Sequence, residues 1–174
     1  MSDDGPVTTG VLGSLRVVSS GRGAVRLQDR FDTDIDDLWS ALTDPARLAR
    51  WLGQVDGDLV VGGRFRAYFL ASGWEGSGRV VACEQPRHFL LATQEAGEPD
   101  EHEVEVTLTA DGRQTVLVVE ERGMPRDQLA GYGAGTHIHV EDLAAYLEGR
   151  GRCEARLRFD ELFPAYQDLA TTVD

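Results

Sequence analysis

At 174 residues the chain is long enough for one domain that buries roughly 70% of its unfolded surface, and short for two. Its 41% apolar and 27% charged residues are the composition of a folded globular protein, which excludes disordered, collagen-like and membrane-spanning classes. Thirty acidic against seventeen basic residues leave a net charge of -13, so phosphate backbones and anionic lipid are repelled, and neither nucleic acid nor a membrane is expected as a partner.

Residues 1–10, MSDDGPVTTG, are acidic and lack the apolar stretch of a signal peptide. They read as a short disordered lead to a single domain over 11–170. Two cysteines, Cys83 and Cys153, fall short of a disulfide framework or a zinc knuckle and fit a reducing, cytoplasmic setting. Segments 11–19 and 24–32 flank the turn-rich tetrad Ser20-Gly21-Arg22-Gly23, a candidate first hairpin. Thr33 or Asp34 then caps a helix over 35–42, where Leu38, Trp39 and Leu42 form an apolar stripe. Asp44-Pro45 restarts it, with a capping side chain and a proline at the first helical position; the second piece, 46–52, brings Leu48, Trp51 and Leu52 to the same side.

From there the period changes to two. Segments 56–61, 64–70, 74–83 and 88–93 are separated by Gly62-Gly63, Ala71-Ser72-Gly73 and Gln85-Pro86-Arg87, the punctuation of an antiparallel meander. Phe65, Ala67 and Phe69 share one face of their strand, and Arg64, Arg66 and Tyr68 share the other. Segments 103–110 and 114–121 flank Asp111-Gly112-Arg113, whose Asp-Gly pair supplies the positive φ of a tight hairpin. Residues 124–135, with three glycines, read as irregular. Helical spacing resumes over 136–148, where Thr136, Val140, Leu143 and Leu147 make one stripe stopped by Gly149. Beyond it, Phe159, Leu162, Phe163, Tyr166 and Leu169 suggest an amphipathic turn or two broken by Pro164.

These residues carry a resemblance. LWSALTDPARLARWL, VGGRF, EQPRHFLLAT, TVLVVEERGMP and HVEDLAAYLEG resemble the activator of heat-shock-protein-90 ATPase homologue family of the START-like (SRPBCC) superfamily, over about residues 25–166. The resemblance implies an α+β helix-grip fold: a curved antiparallel sheet wrapped around a long C-terminal helix, with the helix pair closing an apolar cavity. Two features depart from the family pattern. Relatives often carry Trp after a Gly at the start of the last helix, where Gly135 is followed here by Thr136, and the stretch Gly131 to Gly135 looks too loose for a helix start. Threonine for tryptophan leaves volume at the cavity mouth.

Within that fold Trp39, Trp51, Phe65, Phe69, Trp74, Phe89, Thr136, Val140 and Leu143 are candidate cavity walls, competing with an ordinary core role for each. Thr136, His139 and Tyr68 are the candidate polar contacts; His139 also matches a position where relatives frequently carry His. His137 and His139 lie about 200° apart on a helix, which argues against a shared metal ion, and pairs His137–Glu141 or His139–Asp142 fit the spacing. Gly131, Gly133 and Gly135 lack the flanking pattern of a phosphate loop and read as a hinge. The acidic run Glu95, Glu98, Asp100, Glu101, Glu103 and Glu105 reads as a solvated hairpin approach. Ser77 lacks the Gly-x-Ser-x-Gly context of a nucleophile, and Cys83 reads as a buried filler.

Neither a cofactor nor a catalytic residue is expected. The leading reading is non-enzymatic binding of an apolar or amphipathic small molecule between sheet and helix. A protein-interaction, co-chaperone-like module is the alternative. A cyclase or hydrolase of an aromatic substrate comes third, because few polar groups fall on the inward stripes. A homodimer stays open.

Overall fold

The Ser20-Gly21 turn folds β1 (Ser14–Ser19) onto β2 (Arg22–Phe31), with Gly21 at φ 75°, as the first hairpin requires. A computed structural model describes residues 13–173, so the expected lead over 1–10 lies outside the described residues. Asp34 caps α1 (Ile35–Thr43) by accepting from the Asp37 amide, and Asp44 does the same for α2 (Pro45–Trp51) through the Ala46 amide. Six strands follow: β3 (Gly53–Gly57), β4 (Arg64–Phe69), β5 (Glu75–Glu84), β6 (His88–Glu95), β7 (Glu101–Asp111) and β8 (Gln114–Pro125). Two helices finish the chain, α3 (Leu129–Leu147) and α4 (Ala155–Thr171).

All eight strands form one antiparallel sheet in the order β1-β2-β8-β7-β6-β5-β4-β3. The helix pair therefore carries the chain from β2, next to one edge of the sheet, to β3 at the opposite edge. Register shifts at Val17/Ser19, Gly23/Ala24 and Val80/Ala82 are bulges of the kind that bend a sheet. One face packs on α3: Val106, Leu108 and Leu117 share a buried cluster with Leu129, Val140 and Leu143, and α1 and α2 close it with Leu38, Trp39, Leu48 and Trp51. Arg47 clamps this lid. Its guanidinium donates to Asp37 Oδ1 at 2.9 Å and to the Tyr146 hydroxyl at 2.9 Å, joining α1, α2 and α3.

Several expectations need correction. The strand expected over 56–61 is instead β3, which begins directly after α2; Gly53 and Gly57, both at positive φ, let its backbone press against β4, where a Cβ on Gly53 would lie 1.9 Å from the Tyr68 carbonyl. The stretch 124–135 is ordered: β8 runs to Pro125, a 3-10 turn spans Arg126–Gln128, and α3 starts at Leu129, seven residues ahead of the expected start. Glycine is a poor helix former, so packing must supply the order. Gly133 shows how, since a Cβ there would sit 2.5 Å from the Tyr166 ring. The glycine is the seat for α4.

The terminal turn or two is likewise a full helix of 17 residues that tolerates Pro164. An internal proline costs about 3 kcal/mol, and burial of Leu162 and Tyr166 against Ala130, Ala134 and Ile138 offsets it. A buried polar chain reinforces the seat. The Tyr166 hydroxyl accepts from the Gly13 amide at 2.8 Å and meets His137 Nδ1 at 2.8 Å. His137 Nε2 pairs with Glu141 at 2.7 Å, and Glu141 with Arg158 at 2.6 Å. The spacing-based pair His137–Glu141 thus forms. Asp142 instead accepts from the Cys153 amide at 2.9 Å and not from His139. Among the described residues, no helix is long and apolar enough to cross a membrane.

Candidate functional site

Between the sheet, α3 and the helix pair lies a cavity of about 900 Å³. Its apolar wall is built by alternation: Phe65, Ala67 and Phe69 from β4, Phe89 and Leu91 from β6, Val104 and Val106 from β7, and Leu117 and Val119 from β8. Trp39 and Trp51 come down from the lid. Trp39 meets Phe89 edge-on at 5.6 Å, and Trp51 is oriented by an Nε1 bond of 3.0 Å to the Ala41 carbonyl. Phe69 stacks on Trp74 at 4.9 Å and touches the His139 ring edge-on at 5.1 Å. Thr136, His139, Val140 and Leu143 face the cavity from α3.

Ten of the eleven candidate residues therefore converge on one space: Trp39, Trp51, Phe65, Phe69, Trp74, Phe89, Thr136, His139, Val140 and Leu143. Tyr68 is not among them. It follows the outward phase of β4 with Arg64 and Arg66, and its side chain is 46% exposed. Cys83 corrects another expectation: the β5 bulge at Val80/Ala82 resets the alternation, and the thiol is exposed at the cavity rim. His137 and His139 leave α3 on opposite sides, the first toward α4 and the second toward the cavity.

The interior is more polar than the inward stripes led us to expect. Glu121 lines the cavity at the end of the run Leu117, Val119, Glu121, and its carboxylate accepts from the Thr136 hydroxyl at 3.0 Å. Burial pushes the Glu121 carboxyl up to about 7, and the Thr136 bond only partly opposes this. Glu95 and His102 reach the same end by the same alternation, along Phe89-Leu91-Thr93-Glu95 and Val106-Val104-His102. Tyr132 stands there too, edge-on to His102 at 5.4 Å. Burial, then the Glu95 and Glu121 charges, hold its phenol above the ordinary range. His139 Nε2 is buried with no hydrogen-bond partner, and burial drops its pKa to about 4, so the ring is neutral near pH 7.

The acidic run is accordingly only in part a solvated approach. Glu95 and Glu98 line the cavity, whereas Asp100, Glu101, Glu103 and Glu105 pair with Arg22, Arg79 and Arg122 on other strands. The signal that would have found Glu121, Glu95 and His102 was the period of two itself, extended past the last apolar residue of each strand.

A raised carboxyl has a measurable consequence. Between the ordinary value of 4.5 and about 7 the folded state holds a proton that the unfolded state has lost, so the contribution of Glu121 to stability falls as pH rises through that window. The Glu121→Gln variant is expected to lose this decline and to gain stability relative to the parent above pH 7, by at most about 3 kcal/mol. Urea unfolding at pH 4.5 and at pH 8 checks it; equal changes at both pH values would refute the buried, protonated Glu121.

No curated protein matches the chain. Solved structures do. The crystal structure of CalU16 from Micromonospora echinospora is 28% identical, with a TM-score of 0.75 over 91% of this chain and 96% of that one. DynU16, a protein in the dynemicin biosynthetic locus, is 30% identical with a TM-score of 0.69, over 75% of this chain and 50% of that one. An Hsp90 activator from Plasmodium falciparum, at 21% identity and a TM-score of 0.52 over 59% of this chain and 74% of that one, shares the fold alone. The family model described as activator of Hsp90 ATPase homolog 1-like protein matches residues 32–148, from just ahead of α1 to the C-cap of α3. With its helix-grip sheet and the long helix across it, the chain belongs to the activator of Hsp90 ATPase homolog 1-like family of the SRPBCC superfamily.

Proposed function

We propose that this protein is a cytoplasmic, non-enzymatic binder of an apolar or amphipathic small molecule, held between α3 and the sheet. The observation that carries the reading is the aromatic-walled cavity of about 900 Å³, within the usual range for small-molecule sites. Affinity comes from burying apolar ligand surface, at about 25 cal/mol per Å². Thr136 and His139 supply orientation at the α3 wall, where hydrogen-bonding capacity faces a greasy space. Likeness to DynU16, encoded in a biosynthetic locus, agrees with a small-molecule guest.

A protein-interaction module draws only on the family's name and on a fold-level likeness, and folds do not transfer function. It also predicts a collapsed interior. The cyclase or hydrolase reading gains from the convergence of Glu121, Tyr132, Thr136 and His139, which offers a titrating carboxyl and a neutral imidazole in one cavity.

Native mass spectrometry of the protein purified from its own host tests all three. A retained small molecule, recovered unchanged after denaturation, is the expected result. Recovery of a chemically converted molecule after prolonged incubation would favour the cyclase or hydrolase, and an empty protein that captures a macromolecular partner would favour the interaction module.

A further inference from the structure

The cavity is electrically lopsided. At one end Glu95 projects inward from the end of β6 and Glu121 from within β8, and Glu98 joins them from the turn after β6. Tyr132 lines the same space, and burial and then the charges of Glu95, Glu121 and Glu98 raise its phenol above the ordinary range. No lysine or arginine lies among the described residues that line this space. The nearby arginines are engaged outward: Arg22 holds Asp100 at 2.6 Å, and Arg122 holds Glu105 at 2.9 Å. The opposite end, under Trp39 and Trp51, is mainly apolar, with Thr43 and Gln85 as uncharged polar members.

A carboxylate cluster with low-dielectric walls focuses a negative potential much larger than the same charges produce in water. An anionic guest meets repulsion there, and a neutral guest leaves the charges uncompensated. Resting on the small-molecule reading above, we infer that the ligand is an amphipathic cation, an aromatic body bearing a protonated amine, with its nitrogen at Glu121 and its rings under Trp39 and Trp51. An ammonium group supplies the hydrogen-bond donors that Glu121 can still accept beside its Thr136 bond. His139 is a second, independent sign of a polar guest. Its buried Nε2 has no partner, and its neutral ring adds no positive charge to oppose the amine.

The same arrangement ties binding to pH. The titratable groups that line this space near Glu121 are Tyr132 and His139 from α3, Asp127 from the 3-10 turn before it, Glu95 from β6, His102 from β7 and Glu98 from the turn between those strands. Burial and then Arg22 keep His102 below its ordinary range, so it too is neutral at pH 7. An ammonium ion stabilises the ionised carboxylate, so amine affinity rises as pH passes upward through the range where empty-cavity Glu121 titrates.

The test compares 1-pyrenemethylamine, 1-pyrenemethanol and 1-pyrenecarboxylate, titrated into the full chain at pH 8 and followed by pyrene fluorescence and calorimetry. The amine is expected to bind at least about tenfold tighter than the alcohol, the size of one hydrogen-bonded charge contact, with the carboxylate weakest. Glu121→Gln should bring the amine to within about threefold of the alcohol. If the alcohol binds and the amine binds no tighter, or if the preference survives in both Glu121→Gln and Glu95→Gln, the cation inference fails while the small-molecule reading stands. If none of the three binds, the small-molecule reading fails with it.

Discussion

Replacing Thr136 by tryptophan is expected to cut uptake of an apolar fluorescent probe by about tenfold or more while leaving the fold intact. Thr136 sits on the cavity-facing stripe of α3 between Tyr132 and Val140, where an indole has open volume to enter. Displacing on the order of 60 Å² of ligand contact removes about 1.5 kcal/mol, roughly the tenfold loss. The exchange also removes the bond to Glu121, so Thr136→Ala serves as the control: it breaks the same bond without filling space, and apolar uptake should hold. Fluorescence titration reads both variants. Undiminished uptake by Thr136→Trp would mean that the probe resides elsewhere.

The largest loss of stability is expected at Tyr166, which is fully buried. Tyr166→Ala removes a ring that fills the notch over Gly133 and the hydroxyl that serves both the Gly13 amide and His137. Deleting a buried aromatic costs about 4 kcal/mol, and the Gly13 amide and His137 Nδ1 each lose a hydrogen bond as well. Tyr166→Phe keeps the ring and isolates the hydroxyl, for which about 1–2 kcal/mol is expected. Urea midpoints separate the two terms. If both variants unfold together with the parent, α4 contributes nothing to global stability, and the account of its docking is wrong.

The elements legible in the sequence were those whose signals are local. Asp44-Pro45 marks the restart between α1 and α2, Asp111-Gly112 the β7–β8 hairpin, and the alternation of Phe65, Ala67 and Phe69 the inner face of β4. The cavity wall followed from the same stripes together with the family resemblance. What escaped depends on partners distant in sequence. Three glycines argue against a helix until Tyr166, 33 residues beyond Gly133, is seen packed on that middle glycine. Pro164 argues against a long terminal helix until Leu162 and Tyr166 are seen buried against α3. Glu121 escaped for another reason. Charge just past the last apolar residue of a strand pattern reads as solvent-facing, and only the Thr136 side chain of α3 bonded to it shows this carboxyl to be enclosed.

Helix α4 lies wholly beyond the span shared with the family, which ends at residue 148. Yet it rests on the glycine-bearing turns of α3 that lead into Thr136 and His139, and Phe163 reaches the cavity from it. A chain cut after Gly149 would keep every residue matched by the family model and lose the helix that packs behind the α3 wall of the cavity. The shape of the cavity thus depends on a helix outside the residues matched by the family model, and substitutions in that helix would alter the cavity without touching a residue at its centre.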